Sequence, residues 1–226
     1  MRVGVLLPTF TPDARRALDL AARAEQAGLD GVFAYDHLWP MGSPTRPALA
    51  PGPILAAIAR RRALTVGPLV ARVGLGSPHH LVQWFATLDA IAPGRVIAAL
   101  GTGDRLSAAE NLAYGLEVGD AALRREQLRD VAASLVGCME VWVGAGAPAT
   151  NATARALGAT LNLWEASVED VARATLEGPT SWAGGPASAP EVEALLDALA
   201  GAGATWAVLP ANADLEALAR WIGRRR

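Results

Sequence analysis

Short apolar runs alternate with longer segments in which apolar residues recur at helical spacing, and the alternation repeats eight times along the chain. The runs predict strands over 3–7, 31–35, 64–70, 95–100, 140–143, 159–163 and 205–209, with Thr180-Ser-Trp-Ala-Gly as the weakest. Between them the 3.6-residue period predicts helices over 12–27, 54–61, 81–91, 117 or 121 to 136, 149–157, 168–176, 189–200 and 215–224, with Gly28, Gly201 and Gly203 as stops. The stretch from Trp39 to Pro53 holds Pro40, Pro44, Pro47, Pro51 and Pro53 and reads as a long irregular loop. Loops beyond about 12 residues in compact domains tend to carry function.

Eight β/α units in 226 residues predict an α/β protein folded as one compact (β/α)8 TIM barrel spanning 1–226. An open doubly wound sheet is the weaker fit, since it usually has about five to seven strands. The barrel places its active site at the carboxyl ends of the strands. Phe10, Asp36, His37, Val70, Thr102, Asp104, Gly144, Trp164 and Trp182 all fall at that end.

Composition narrows the chemistry. A formal charge of −2 gives no basic footprint for nucleic acid, and Arg60-Arg-Arg62 and Arg224-Arg-Arg226 read as solvated helix ends. No lysine occurs, which excludes Schiff-base and pyridoxal-phosphate chemistry and a Walker-type phosphate loop. The single cysteine, Cys138, excludes an intramolecular disulfide and reads as a small core residue. The apolar run at Met1 is short for a signal peptide, and no run approaches the ~20 residues of a membrane span. The expectation is a cytoplasmic protein acting on a small molecule, with no membrane partner; a homodimer stays open.

Candidate chemistry clusters at the strand tips. Asp36-His37 ends an apolar strand, where a histidine can transfer protons or bond a ring; the alternative is a satisfied loop histidine. Gly101-Thr102-Gly103-Asp104 ends another, and Asp104 either handles protons or caps the next helix. Gly144-Ala145-Gly146-Ala147 follows a strand and opens a helix, a setting that favours a phosphate, and with Glu165 beyond it mimics a dinucleotide fingerprint. Phe10, Trp39, Trp164 and Trp182 are candidate walls for a flat ring or substrate, with packing as the alternative, while Trp84, Trp142, Trp206 and Trp221 read as core. Adjacent His79-His80 lack the i, i+4 spacing of a helical metal pair, so no metal site is expected.

Taken together, Asp36-His-Leu-Trp39, Thr65-Val-Gly-Pro-Leu-Val70, Thr87 through Arg95, and Gly101-Thr-Gly-Asp104 with Glu110 and Gly115 resemble the luciferase-like monooxygenase superfamily. Their order is most similar to its deazaflavin-dependent branch. The resemblance implies a (β/α)8 barrel holding coenzyme F420, or flavin mononucleotide (FMN), at the carboxyl end of the strands. It implies Asp36 and His37 beside the ring, a non-prolyl cis peptide at Leu69-Val70 as its buttress, Thr102 and Gly103 as ring or ribityl contacts, Asp104 as a proton group, and Gly144 to Ala147 as the phosphate turn. Asp104 stands where sugar-phosphate-oxidising relatives look to have glutamate, and the chain lacks their large substrate-cap insertion. With no lysine to clamp a sugar phosphate, the expected reaction is hydride transfer between F420 and an unidentified small organic substrate. The competing expectations are an FMN monooxygenase, a non-catalytic cofactor-binding barrel and a nicotinamide dehydrogenase built on Gly144 to Glu165.

Overall fold

Five of the strands are buried at every position, and three of them, Gly31–Ala34, Ile97–Gly101 and Trp206–Leu209, read as continuous apolar runs because a parallel sheet wrapped by helices shows water neither face. The computed structural model describes residues 1–40, 42–103, 107–117, 119–185 and 189–225. Element order is β1 (Arg2–Leu6), α1 (Arg15–Gln26), β2 (Gly31–Ala34), α2 (Pro51–Arg61), β3 (Thr65–Pro68), β4 (Ala71–Arg72), α3 (Pro78–Ile91), β5 (Ile97–Gly101), α4 (Ala108–Ala113), α5 (Ala121–Leu135), β6 (Glu140–Gly144), α6 (Pro148–Ala156), β7 (Thr160–Trp164), α7 (Val168–Thr175), β8 (Thr180–Ala183), α8 (Ala189–Gly201), β9 (Trp206–Leu209) and α9 (Leu215–Gly223).

All strand pairings are parallel, in the order β3-β2-β1-β9-β8-β7-β6-β5-β4. β3 and β4 are successive pieces of one stave. The Val66 N–H donates to the Arg95 carbonyl at 2.8 Å and β4 pairs with β5, so the sheet closes into an eight-stave barrel. The strand at Thr180, weakest by sequence, is fully buried and ladders to both neighbours.

Two apolar layers result from the strand's alternation of side chains. Leu6, Phe33, Ile97, Trp142, Trp206 and Val208 fill the barrel interior, with Phe33 stacked on Trp142 at 5.2 Å and edge-on to Trp206. Rings of this size are held at about 3–5 kcal/mol each against truncation. Gly31 makes room for them: a Cβ there would lie 2.8 Å from the Thr65 carbonyl and 3.1 Å from Trp206. The second layer joins the helices to the outside of the barrel, as where α1 turns Ala17, Leu20, Ala21 and Ala24 inward at helical spacing.

Two expectations change. Cys138 is exposed, because α5 ends at Leu135 and Gly137, at φ 91°, turns the chain back before Cys138 can reach the core. Trp182 is buried in the helix-facing layer, its indole N–H donating to the Ala166 carbonyl at 2.9 Å, while its neighbour Ala183 faces the interior. Among the described residues no helix is long and apolar enough to cross a membrane.

Candidate active site at the barrel mouth

Alternation along β2 sets the site. Phe33, Tyr35 and His37 follow one another on the inner face, so the strand that packs the floor with Phe33 delivers Tyr35 and His37 to the mouth. Tyr35 stacks on Phe10, with centroids 5.2 Å apart and planes 8° from parallel, and His37 lies 6.3 Å from both rings. Burial, with the Glu165 charge, pushes the Tyr35 phenol up to about 12, so it stays neutral. Trp164, half exposed, closes the far wall 6.1 Å from Tyr35.

Asp36 points the other way. Its carboxylate accepts the Arg72 backbone N–H at 2.9 Å and faces a separate cavity of about 290 Å³ behind the stave. Burial raises its pKa, against the opposing pull of that hydrogen bond and of the Arg72 and His37 charges. Arg72 in turn sends its guanidinium to Glu110 Oε1 at 2.5 Å and to Asn111 Oδ1 at 3.2 Å. Glu110, 2% exposed, also lies within hydrogen-bond distance of His37 Nδ1, at 2.9 Å, and accepts from the backbone N–H groups of Leu38 and Trp39 at 2.9 and 3.3 Å. Buried charge is tolerated when every member is bonded. Two atoms escape that rule: Arg72 Nε and Nη2 are buried and have no hydrogen-bond partner among the described residues.

The Leu69-Val70 peptide is cis. Val70 seats its side chain over two glycines: a Cβ on Gly101 would lie 2.4 Å from Val70 Cγ2, and one on Gly144 3.6 Å from it. Leu69, Val70, Gly103, Gly144 and Ala145 join Phe10, Tyr35, His37, Arg72 and Trp164 around a cleft of about 460 Å³. An adjoining groove of about 390 Å³ shares Val70, Gly103, Gly144 and Ala145 and continues past Thr102, Gly146 and Ala147 to Arg124 and Arg125. There α6 starts without a side-chain cap, although the Gly146 N–H is taken by Asn151 Oδ1 at 3.0 Å. Arg124 Nε is buried and unbonded among the described residues.

The mouth thus gathers His37, Leu69, Val70, Gly103, Gly144, Ala145, Phe10 and Trp164 at one cleft, and Thr102, Gly146 and Ala147 along its extension. Trp39 lies outside both, its ring 5.6 Å from Tyr114; Asp36 and Trp182 face outward, and Asp104 lies outside the described residues. The site also recruits residues that strand-tip reasoning passed over. Tyr35 was signalled by the Phe33-Tyr35-His37 alternation, and Arg72 by being the first charge after an apolar stave. Glu110 sits on α4, a short helix that no periodicity announced.

The model of the luciferase-like monooxygenase family matches residues 1–152. The chain belongs to that family. Among curated relatives, it is 34% identical over 129 residues to an F420-dependent glucose-6-phosphate dehydrogenase of Microbacterium testaceum (strain StLB037), covering 56% of this chain and 37% of that protein. It is 33% identical over 137 residues to the same-named enzyme of Beutenbergia cavernae, covering 60% and 38%. The matched segment is therefore well under half the length of these relatives. Among solved structures, the fold superposes on an F420-dependent secondary alcohol dehydrogenase in complex with an F420-acetone adduct (TM-score 0.78, 13% identity, 100% of this chain and 99% of that one). It also superposes on the EDTA monooxygenase of Chelativorans sp. BNC1 (TM-score 0.63, 16% identity, 87% and 68%). At such identities the likeness to these two structures is one of fold alone.

Proposed function

We propose that this luciferase-like barrel is an F420-dependent oxidoreductase that moves a hydride between the deazaflavin and a small organic substrate. The observation that carries the reading is the continuity of an apolar, aromatic-walled cleft holding His37 with a groove ending at Arg124 and Arg125. A flat ring fits the first part and an anionic tail the second. The buried, unbonded Arg124 Nε and the uncapped start of α6 both favour negative charge there. The relatives named for F420 dependence support the same cofactor.

When bound, the deazaflavin supplies the carbon that accepts or returns the hydride. The chain supplies the rest: Val70, Phe10 and Tyr35 orient the reactants and keep water out, and His37 exchanges a proton with the substrate oxygen through Nε2. Tyr35, neutral across the working range, serves as wall rather than base. An FMN monooxygenase on the same barrel is the second reading, favoured by the fold likeness to the EDTA monooxygenase.

The test is turnover without and with oxygen. F420 mixed with the protein and a panel of small alcohols is expected to be reduced in a substrate-dependent way that oxygen does not alter. Product formed only with reduced FMN and oxygen would assign a monooxygenase, and F420 binding without turnover on any alcohol or carbonyl would assign a binding barrel.

A further inference from the structure

We propose that Glu110 is the positioning residue for His37: it takes the hydrogen bond of Nδ1 and leaves Nε2 as the ring nitrogen that exchanges protons in the cleft. The inference rests on the oxidoreductase reading for its purpose and on the geometry of Glu110 for its substance.

The Glu110 carboxylate has two oxygens and four partners. Oε2 accepts the backbone N–H groups of Leu38 and Trp39, while Oε1 faces the Arg72 guanidinium and His37 Nδ1. The Leu38 and Trp39 N–H groups and the Arg72 guanidinium have no acceptor capacity, and the last of these is a cation that holds the carboxylate ionised, so towards His37 too the carboxylate can only accept. Nδ1 must then carry the proton, and a neutral His37 presents its lone pair at Nε2. The same carboxylate grips the backbone of the two residues after His37, which fixes where the ring stands as well as which way round it is protonated. Glu110 and Arg72 are both almost wholly buried, so water competes little for these bonds.

The consequence for an alcohol substrate balances as follows. The hydroxyl proton passes to Nε2, the carbinol hydrogen leaves with its electron pair to the oxidised deazaflavin, and the C–O single bond becomes a carbonyl. His37 ends as an imidazolium with Nδ1–H still on Glu110, where the carboxylate stabilises the positive charge as it forms. In the reverse direction the imidazolium returns the proton to the nascent alkoxide. Glu110 touches neither substrate nor cofactor.

The experiment reads the tautomer directly. In ¹⁵N-histidine-labelled protein without cofactor, the His37 signal, assigned by its loss in His37→Gln, is expected to show protonated Nδ1 and bare Nε2 when neutral. Glu110→Gln, whose amide can donate to Nδ1, is expected to move the proton to Nε2, lower kcat by roughly 10² to 10⁴ and leave the F420 Kd within about twofold. Glu110→Asp, which restores a carboxylate, is expected to recover the wild-type tautomer and part of the rate. A neutral His37 protonated on Nε2 in the wild type overturns the proposal even if no variant folds, and so does an unchanged kcat in Glu110→Gln. Absence of F420 binding with the expected tautomer would instead sink the oxidoreductase reading and leave the Glu110 geometry standing.

Discussion

The two sides of the barrel mouth are built on the same strand-end geometry and furnished in opposite ways. On the β2 to β5 side, the side chains of His37, Glu110, Arg72 and Asn111 form a bonded chain that Asp36 joins through the Arg72 backbone N–H, behind apolar walls. On the β6 side the tips are Gly144, Ala145, Gly146 and Ala147, and among the described residues lining the groove there the charged ones are Arg124 and Arg125. Buried charge is expensive to desolvate and persists only with partners, and on the proposed reading the first side holds and moves the proton. The second offers small residues, a helix start and flanking cations, which suits gripping an anion at close range.

The sharpest way to break this contrast is to exchange the losses. His37→Ala is expected to lower turnover by roughly 10² to 10⁴ while leaving F420 affinity nearly unchanged. Gly146→Val is expected to weaken F420 binding by about tenfold, ~1.4 kcal/mol, with kcat at saturation preserved. A Cβ at Gly146 meets no atom within 4 Å, so there is room where the side chain begins, and an unchanged melting temperature of the variant shows that the effect reports on the ligand. Steady-state kinetics paired with a binding titration separates the two. If both variants lose affinity equally and neither loses kcat, the division of the mouth is wrong.

A smaller effect sharpens the account of the charged side. Asp36 has a folded-state pKa raised by burial, so its ionisation opposes folding. Below the ordinary carboxylate range both folded and unfolded chains are protonated and no penalty applies. As pH rises, the unfolded chain ionises first and stability falls, until pH passes the raised folded value and the loss levels off. Asp36→Asn keeps an oxygen for the Arg72 N–H and cannot ionise. The melting temperature of the variant relative to the wild type is therefore expected to improve from acid to neutral pH; a difference independent of pH would contradict the assignment.

These contrasts show what a sequence makes legible. The staves announce themselves because a doubly covered strand must be apolar throughout, and even Thr180-Ser-Trp-Ala proved fully buried. His37 and Gly144 were visible because they interrupt such runs. The outward turn of Asp36 and Trp182 was less so, since a strand tip marks which residues reach the end of the barrel and only the register decides which face they take. Glu110 was visible as part of a family pattern but not as the hub of the polar chain. Its partners come from positions 37 to 39 and from Arg72, and only barrel closure brings those segments together.

Cofactor choice is the claim on which the rest depends, and intrinsic fluorescence reads it directly. Trp164 stands half exposed on the cleft wall, 6.1 Å from Tyr35. Titration of the purified protein with F420, FMN and NADPH is expected to give saturable quenching by F420 at concentrations at least about tenfold below those needed for NADPH, and to lose most of that response in Trp164→Phe. Saturable binding of NADPH with no response to F420 would contradict the account and favour a nicotinamide dehydrogenase, while FMN binding more tightly than F420 would turn the same cleft over to flavin chemistry.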